Sequence, residues 1–239
     1  MPVFYYWFIG PVILWSLLTV GIVFCIIKSS VYRSNISYAA LTITLFGLVY
    51  AIMNIVSSDH YYYTVPVAIG FDSLRVSFES LPGLMAYLRM SKQIGYKTGR
   101  FLVYFGFLYM IPVVAMGVIV TFFAVEEYRS PEIFGFVLRV HCGFITIFLL
   151  LLALYWKKLH GKVRITLLLY TLAYVISEIF YLVTTYKARR YFPADIVSIF
   201  LVEFPVVLSL MISVLYGHLW TMKRPMQDEK VEINEENKS

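Results

Sequence analysis

The sequence predicts an all-α membrane protein, a bundle of seven transmembrane helices with the N-terminus outside and the C-terminus in the cytoplasm. Three observations predict it. Apolar residues (AVILMFWYC) make up 60% of the chain and charged residues 14%, where a soluble domain carries roughly 25% charged residues. The apolar residues gather in seven runs, each at least about 20 residues long, the length at which a helix crosses the hydrocarbon core. The basic residues collect between alternate runs, as membrane topology requires.

The first run is Val3–Ile27, opened by the aromatic stretch Phe4 to Trp7. No basic residue precedes it and the first is Lys28. A signal peptide carries positive charge before its apolar core, so this run is expected to stay as a helix. The second run is Ser37–Ser57, with Ser34 or Asn35 placed to cap it. Asn35-Ile36-Ser37 matches a glycosylation sequon but falls in the first cytoplasmic loop, so it is expected to be unmodified.

The third run, Tyr63–Leu88, is the most polar, with Asp72, Arg75 and Glu79 inside it and Pro82-Gly83 near its inner end. Charge bias decides whether it crosses. If it does, twelve basic residues share one side: Lys28, Arg33, Arg89, Lys92, Lys97, Arg100, Lys157, Lys158, Lys162, Arg164, Lys223 and Arg224. Arg129, Lys187, Arg189 and Arg190 lie on the other. Leaving the run outside the membrane weakens this asymmetry, so the positive-inside rule favours seven crossings with the twelve in the cytoplasm.

The fourth run, Phe101–Val125, follows a basic loop containing Gly95 and Gly99. The fifth, Glu132–Trp156, opens after Pro131, whose missing N–H costs nothing at a helix start. The sixth is Arg164–Tyr186, after Gly161, and the seventh Ala194–Thr221, after Pro193. Tyr61 to Tyr63, Tyr155, Trp156, Tyr191, Phe192 and Trp220 are expected at headgroup level. Pro11, Pro66, Pro82, Pro112 and Pro205 lie inside runs and can kink them. The membrane domain spans 1–222, and 223–239 is a polar tail rich in Asp and Glu, expected to be disordered. Cys25 and Cys142 both sit in apolar runs, and no disulfide is expected.

An ionisable group at membrane depth costs about 2.5–3.5 kcal/mol on insertion scales and faces the bundle interior or water. The candidate polar core or ligand-binding residues are Asp72, Arg75, Glu79, Arg139, His141, Glu178 and Glu203. Helical rise puts most of them in one outer-to-middle layer, the pattern of a polar cavity open to the outside. Asp72, Arg75 and Glu79 stand three and four residues apart, on one helix face. They read either as a self-neutralising lock or as part of a ligand, ion or proton site. Glu178 or Glu203 is expected to partner Arg139. Tyr170, Tyr174, Glu178 and Tyr181 share a face of the sixth run, which reads as aromatic packing.

Several activities are excluded. His141 is the one histidine of four that is well inside an apolar run, too few for a zinc centre or paired haem ligands. The last run has no lysine to form a retinal Schiff base. The helix count resembles that of G-protein-coupled receptors, but Tyr87-Leu88-Arg89-Met90 ends the third run and the seventh lacks an Asn-Pro-x-x-Tyr pattern, so the likeness is architectural. No nucleophile–base pair is visible, so no catalytic residue, metal or cofactor is assigned and no enzyme is expected.

The expected role is receptor-like. A small-molecule or lipid-like ligand would enter from outside, and Arg89, Lys92, Lys97, Arg100, Lys157, Lys158, Lys162 and Arg164 would meet a cytoplasmic signalling partner or anionic membrane lipids. The same residues also satisfy plain positive-inside topology. The alternatives are a transporter or lipid-handling protein using Asp72, Glu178 and Glu203, and a non-catalytic subunit. A plasma-membrane location is expected, and nucleic acid is not an expected partner.

Overall fold

The computed structural model describes residues 9–56, 61–123, 131–159, 161–190 and 196–220. Among these the regular structure is helical: α1 (Ile9–Lys28), α2 (Asn35–Val56), α3 (Tyr61–Phe78), α4 (Leu81–Gln93), α5 (Lys97–Phe123), α6 (Pro131–Trp156), α7 (Gly161–Arg190) and α8 (Ile196–Tyr216). Five stretches are long and apolar enough to cross a membrane: Ile9–Lys28, Asn35–Val56, Lys97–Ala115, Arg139–Trp156 and Gly161–Val183. Their outward faces carry Leu17, Phe101, Leu108 and Ile111, all largely exposed. Such surface is stable against lipid tails and not against water, and the chain is a multi-pass membrane protein. The aromatic stretch Phe4 to Trp7, Tyr191, Phe192, Pro193 and the 223–239 tail lie outside the described residues.

Local chemistry sets the ends. Ser34 caps α2: its Oγ accepts the Ser37 N–H at 3.2 Å and its carbonyl accepts the Tyr38 N–H at 3.0 Å. The link between α4 and α5 is short, because α4 runs to Gln93 and α5 starts at Lys97. Gly95 turns the chain there with a left-handed φ of 66°. Arg89 and Lys92 therefore stand on the last turns of α4, and Lys97 and Arg100 on the first turn of α5, rather than in an open loop.

The third run differs most from expectation. It is two helices, α3 and α4, separated by Glu79 and Ser80. Pro82 is the first cause, since it has no N–H to offer the Phe78 carbonyl and its ring crowds that turn. Tyr170 of α7 is the second. Its hydroxyl accepts the Gly83 N–H at 3.0 Å and donates to the Glu79 carbonyl at 3.4 Å. Gly83 N–H and Glu79 C=O are the two ends of one helical i→i−4 bond, and a side chain from another helix is interposed between them. Gly83 has to be glycine, because a Cβ there would lie 2.5 Å from a Phe148 ring carbon and against Tyr170.

The helices close into a ring. α1 packs on α2 and α8, α2 on α3, α5 on both α3 and α6, α6 on α7, and α7 on α8. α4 also packs on α2, α5 and α8, and its Tyr87 reaches Thr171 of α7 at 2.9 Å. The second half of the broken segment is thus the central pillar. Around it lies an aromatic core of Tyr87, Phe144, Phe148, Tyr155, Tyr170 and Tyr174. A second, largely aliphatic core joins α1, α2 and α8 around Trp15, Ile43 and Leu210. Tyr155 and Trp220, expected as interface anchors, are buried in the aromatic core because their polar tips find protein partners; the Trp220 Nε1–H donates to Thr166 Oγ1 at 3.1 Å.

One end of the bundle gathers the basic segments. Tyr32 meets His218 at a ring separation of 5.9 Å, and Lys158 Nζ sits 4.0 Å over the Tyr96 ring. These contacts join the α1–α2, α4–α5 and α6–α7 links and the turn after α8. Lys92, Lys97, Lys157, Lys158 and Lys162 are exposed there, while Arg89, Arg100 and Arg164 are half-buried. Arg164 stacks 4.8 Å over Trp156, and Arg100 reaches the Ser91 carbonyl at 3.5 Å.

Candidate functional site

The charged residues of α3 form one face because their spacing matches the helical turn. Arg75 is 2% exposed. Its Nε and Nη2 donate to Asp72 Oδ1 at 3.0 and 2.7 Å, and its Nη1 donates to Glu79 Oε1 at 2.5 Å. Glu203 of α8 brings Oε2 to 3.8 Å from the same Nη1. The guanidinium carbon lies 5.7 Å from the Trp15 ring centre and 5.8 Å from that of Tyr50, within cation–π range. Trp15 fits because α2 offers Gly47 opposite it, where a Cβ would come within 2.6 Å of the indole. Four helices thus meet at one arginine.

A second centre joins α6 and α7. His141 Nδ1 pairs with Glu178 Oε2, and both residues are buried. The imidazole lies on Tyr181, with ring centres 4.6 Å apart. Tyr174 stands beside Glu178, and Glu178 is within electrostatic reach of Glu79. Glu79 therefore belongs to the arginine cluster through its carboxylate and to α7 through its carbonyl and Tyr170.

The sequence-derived set separates into these two groups. Asp72, Arg75, Glu79 and Glu203 meet in one, and His141 and Glu178 in the other. Arg139 joins neither; its side chain is exposed, and its carbonyl accepts the Tyr109 hydroxyl at 3.1 Å. The expected pairing of Arg139 with Glu178 or Glu203 is therefore corrected, since Glu178 faces His141 and Glu203 faces Arg75. Helical periodicity is the reason. Residues two apart are about 200° apart around the axis, so with His141 turned toward α7, Arg139 points away.

The charges are packed against each other. Arg75, Glu79, His141, Glu178 and Glu203 are all buried, while the Asp72 side chain is 20% exposed. Asp72 lies on the Tyr61 side of Arg75, the side expected to face outside. Among the described residues no group of three or more His, Cys, Asp or Glu could hold a metal ion; the three carboxylates of the larger cluster surround a guanidinium instead. Trp15, Tyr50 and the hydroxyl of Tyr170 were not singled out as site residues from sequence. Trp15 and Gly47 lie on different helices, and nothing in either helix alone signals that one makes room for the other.

Comparison with protein-family models, with curated proteins and with solved structures gives no match to the chain. The functional reading rests on the geometry above.

Proposed function

We propose that the protein is a seven-helix membrane transporter whose buried carboxylates bind and release protons as a small solute passes. The observation that carries this reading is a charge imbalance. Asp72, Glu79, Glu178 and Glu203 face one guanidinium and one imidazole. Even with His141 protonated, four carboxylates share two cations, and the set keeps a net charge of −2. An uncompensated buried charge costs several kcal/mol, and protonating a carboxylate removes that cost. Charged groups at the junction of several helices, one of them broken, resemble the coupling-ion sites of secondary transporters.

The seven-crossing count is supported by α3 and α4 acting as one broken segment inside the ring, and by α8 closing the ring on α1. An N-outside, C-cytoplasmic orientation is supported by the basic end of the bundle. Lys92, Lys97, Lys157, Lys158 and Lys162 would there meet anionic lipid.

A receptor-like role is the second reading, and the partial exposure of Asp72 favours it. A small or lipid-like ligand bearing a cation would meet this carboxylate from the outer side, and displacement of Arg75 would carry the change inward to a cytoplasmic partner at the basic end. The experiment is uptake into proteoliposomes of radiolabelled amines, amino acids and sugars, with and without an inward proton gradient. Gradient-driven uptake abolished in Glu178→Gln and Glu203→Gln supports transport. Saturable binding of one of these probes without uptake supports the receptor.

A further inference from the structure

We propose that Glu203 is the buried proton-binding site of this protein, holding its proton at neutral pH in the contact between α8 and the Arg75 cluster. The inference deepens the transport reading by naming the group that exchanges the proton.

Glu203 stands apart from the other two carboxylates by its distance from the guanidinium. A guanidinium has five N–H groups in a fixed fork. Asp72 Oδ1 takes Nε and Nη2 at 3.0 and 2.7 Å, and Glu79 takes Nη1 at 2.5 Å. Two N–H groups remain, one of them on Nη1, but the contact from Glu203 is Oε2 to Nη1 at 3.8 Å. That distance is beyond a hydrogen bond. Glu203 Oε2 is buried and accepts no hydrogen bond, whereas Asp72 and Glu79 each accept from Arg75. As an ionised group it would be the least supported of the three; as a neutral acid it needs no cation.

The elements packed around it agree. α3 offers Arg75, with Asp72 and Glu79 already upon it. α1 offers Trp15, whose indole N–H is buried beside Glu203 and can donate to the carbonyl oxygen of a protonated acid as well as to a carboxylate. α2 contributes the Tyr50 ring over Arg75. The one charged residue described in the buried part of α7 is Glu178, which faces His141 and lies toward Glu79. No second cation reaches Glu203 from these helices among the described residues.

Exchange is simple to balance. The O–H bond of Glu203 breaks, the proton leaves through partly exposed Asp72, and the new carboxylate closes on Arg75 Nη1 as Glu79 gives way. Reversal restores the resting state. Motion of α8 against α3 would thereby follow the protonation state.

The test is infrared spectroscopy of the purified, lipid-reconstituted protein at neutral pH, reading the carbonyl band of a protonated carboxyl group by its shift in D2O. The wild type is expected to show the band and Glu203→Gln to lose it, while Glu79→Gln and Glu178→Gln retain it. Because the amide mimics a protonated acid, Glu203→Gln is expected to fold with wild-type thermal stability. A wild type without the band, a band that persists in Glu203→Gln, or a Glu203→Gln that fails to fold would each overturn the proposal. A band that behaves as expected in a protein without proton-driven uptake would leave the proton site standing and remove the transport reading.

Discussion

The aromatic core around α4 and the charged layer beside it bury comparable polar chemistry in opposite ways. In the aromatic core the polar atoms are neutral and largely matched. Tyr87 pairs with Thr171, Trp220 donates to Thr166, and the Tyr170 hydroxyl serves both Gly83 and Glu79. In the charged layer the acids outnumber the bases. Matched polar groups inside a membrane protein fix one arrangement, because each donor has an acceptor and no other packing does better. An unmatched set leaves a group whose charge can change, and with it the favoured packing. The first region is built to stay, the second to respond.

Four substitutions break or sharpen that comparison. Arg75→Gln has the largest expected effect. It leaves the carboxylates of Asp72 and Glu79 without their shared cation, and losing one partner of a buried ion pair costs about 3–5 kcal/mol. The melting temperature in detergent should fall furthest for this variant, and a mild shift would show that the carboxylates do not depend on the guanidinium. Gly83→Ala comes next, as a matched region forced to accept volume. The added methyl meets Phe148 and Tyr170, and overpacking costs about 1–3 kcal/mol; thermal denaturation with the alanine variant as stable as wild type would deny the close approach.

Tyr170→Phe is smaller. It keeps the ring and removes the hydroxyl that bridges the break, for a loss of about 1 kcal/mol. Hydrogen exchange at residues 81–84 should speed up in this variant while the ends of α3 and α4 stay unchanged, and unaltered exchange would make the bridge incidental. Arg139→Gln should change stability by less than about 0.5 kcal/mol, as for exposed positions generally. A loss on the scale of Arg75→Gln would place Arg139 inside the network after all.

Much of the fold can be read from the sequence because hydrocarbon imposes a simple rule on length and charge. The Ser34 cap and the break at Pro82-Gly83 are local signals with counterparts in the structure, and five of the runs correspond to stretches long and apolar enough to cross a membrane. The Asp72–Arg75–Glu79 face is likewise local, being fixed by helical spacing alone. Contacts between helices are not written this way. Whether Glu203 meets Arg75 or Arg139 depends on how α8 is rotated, and the sequence of α8 does not state that. Arg139 is legible in part, since two-residue spacing from His141 puts the two side chains on different helix faces. The role of Tyr170 was not accessible, because it bonds backbone groups some 90 positions away in the chain.

The claim on which the account turns is that the folded core binds protons that the unfolded chain releases. A direct measurement is the number of protons appearing in weakly buffered solution at neutral pH when the purified protein is unfolded by strong detergent, counted with a pH indicator. Linkage requires the native state to hold more protons wherever burial keeps an acid neutral. The wild type is expected to release about one proton more per chain than Glu203→Gln. Equal release from the two proteins would contradict it.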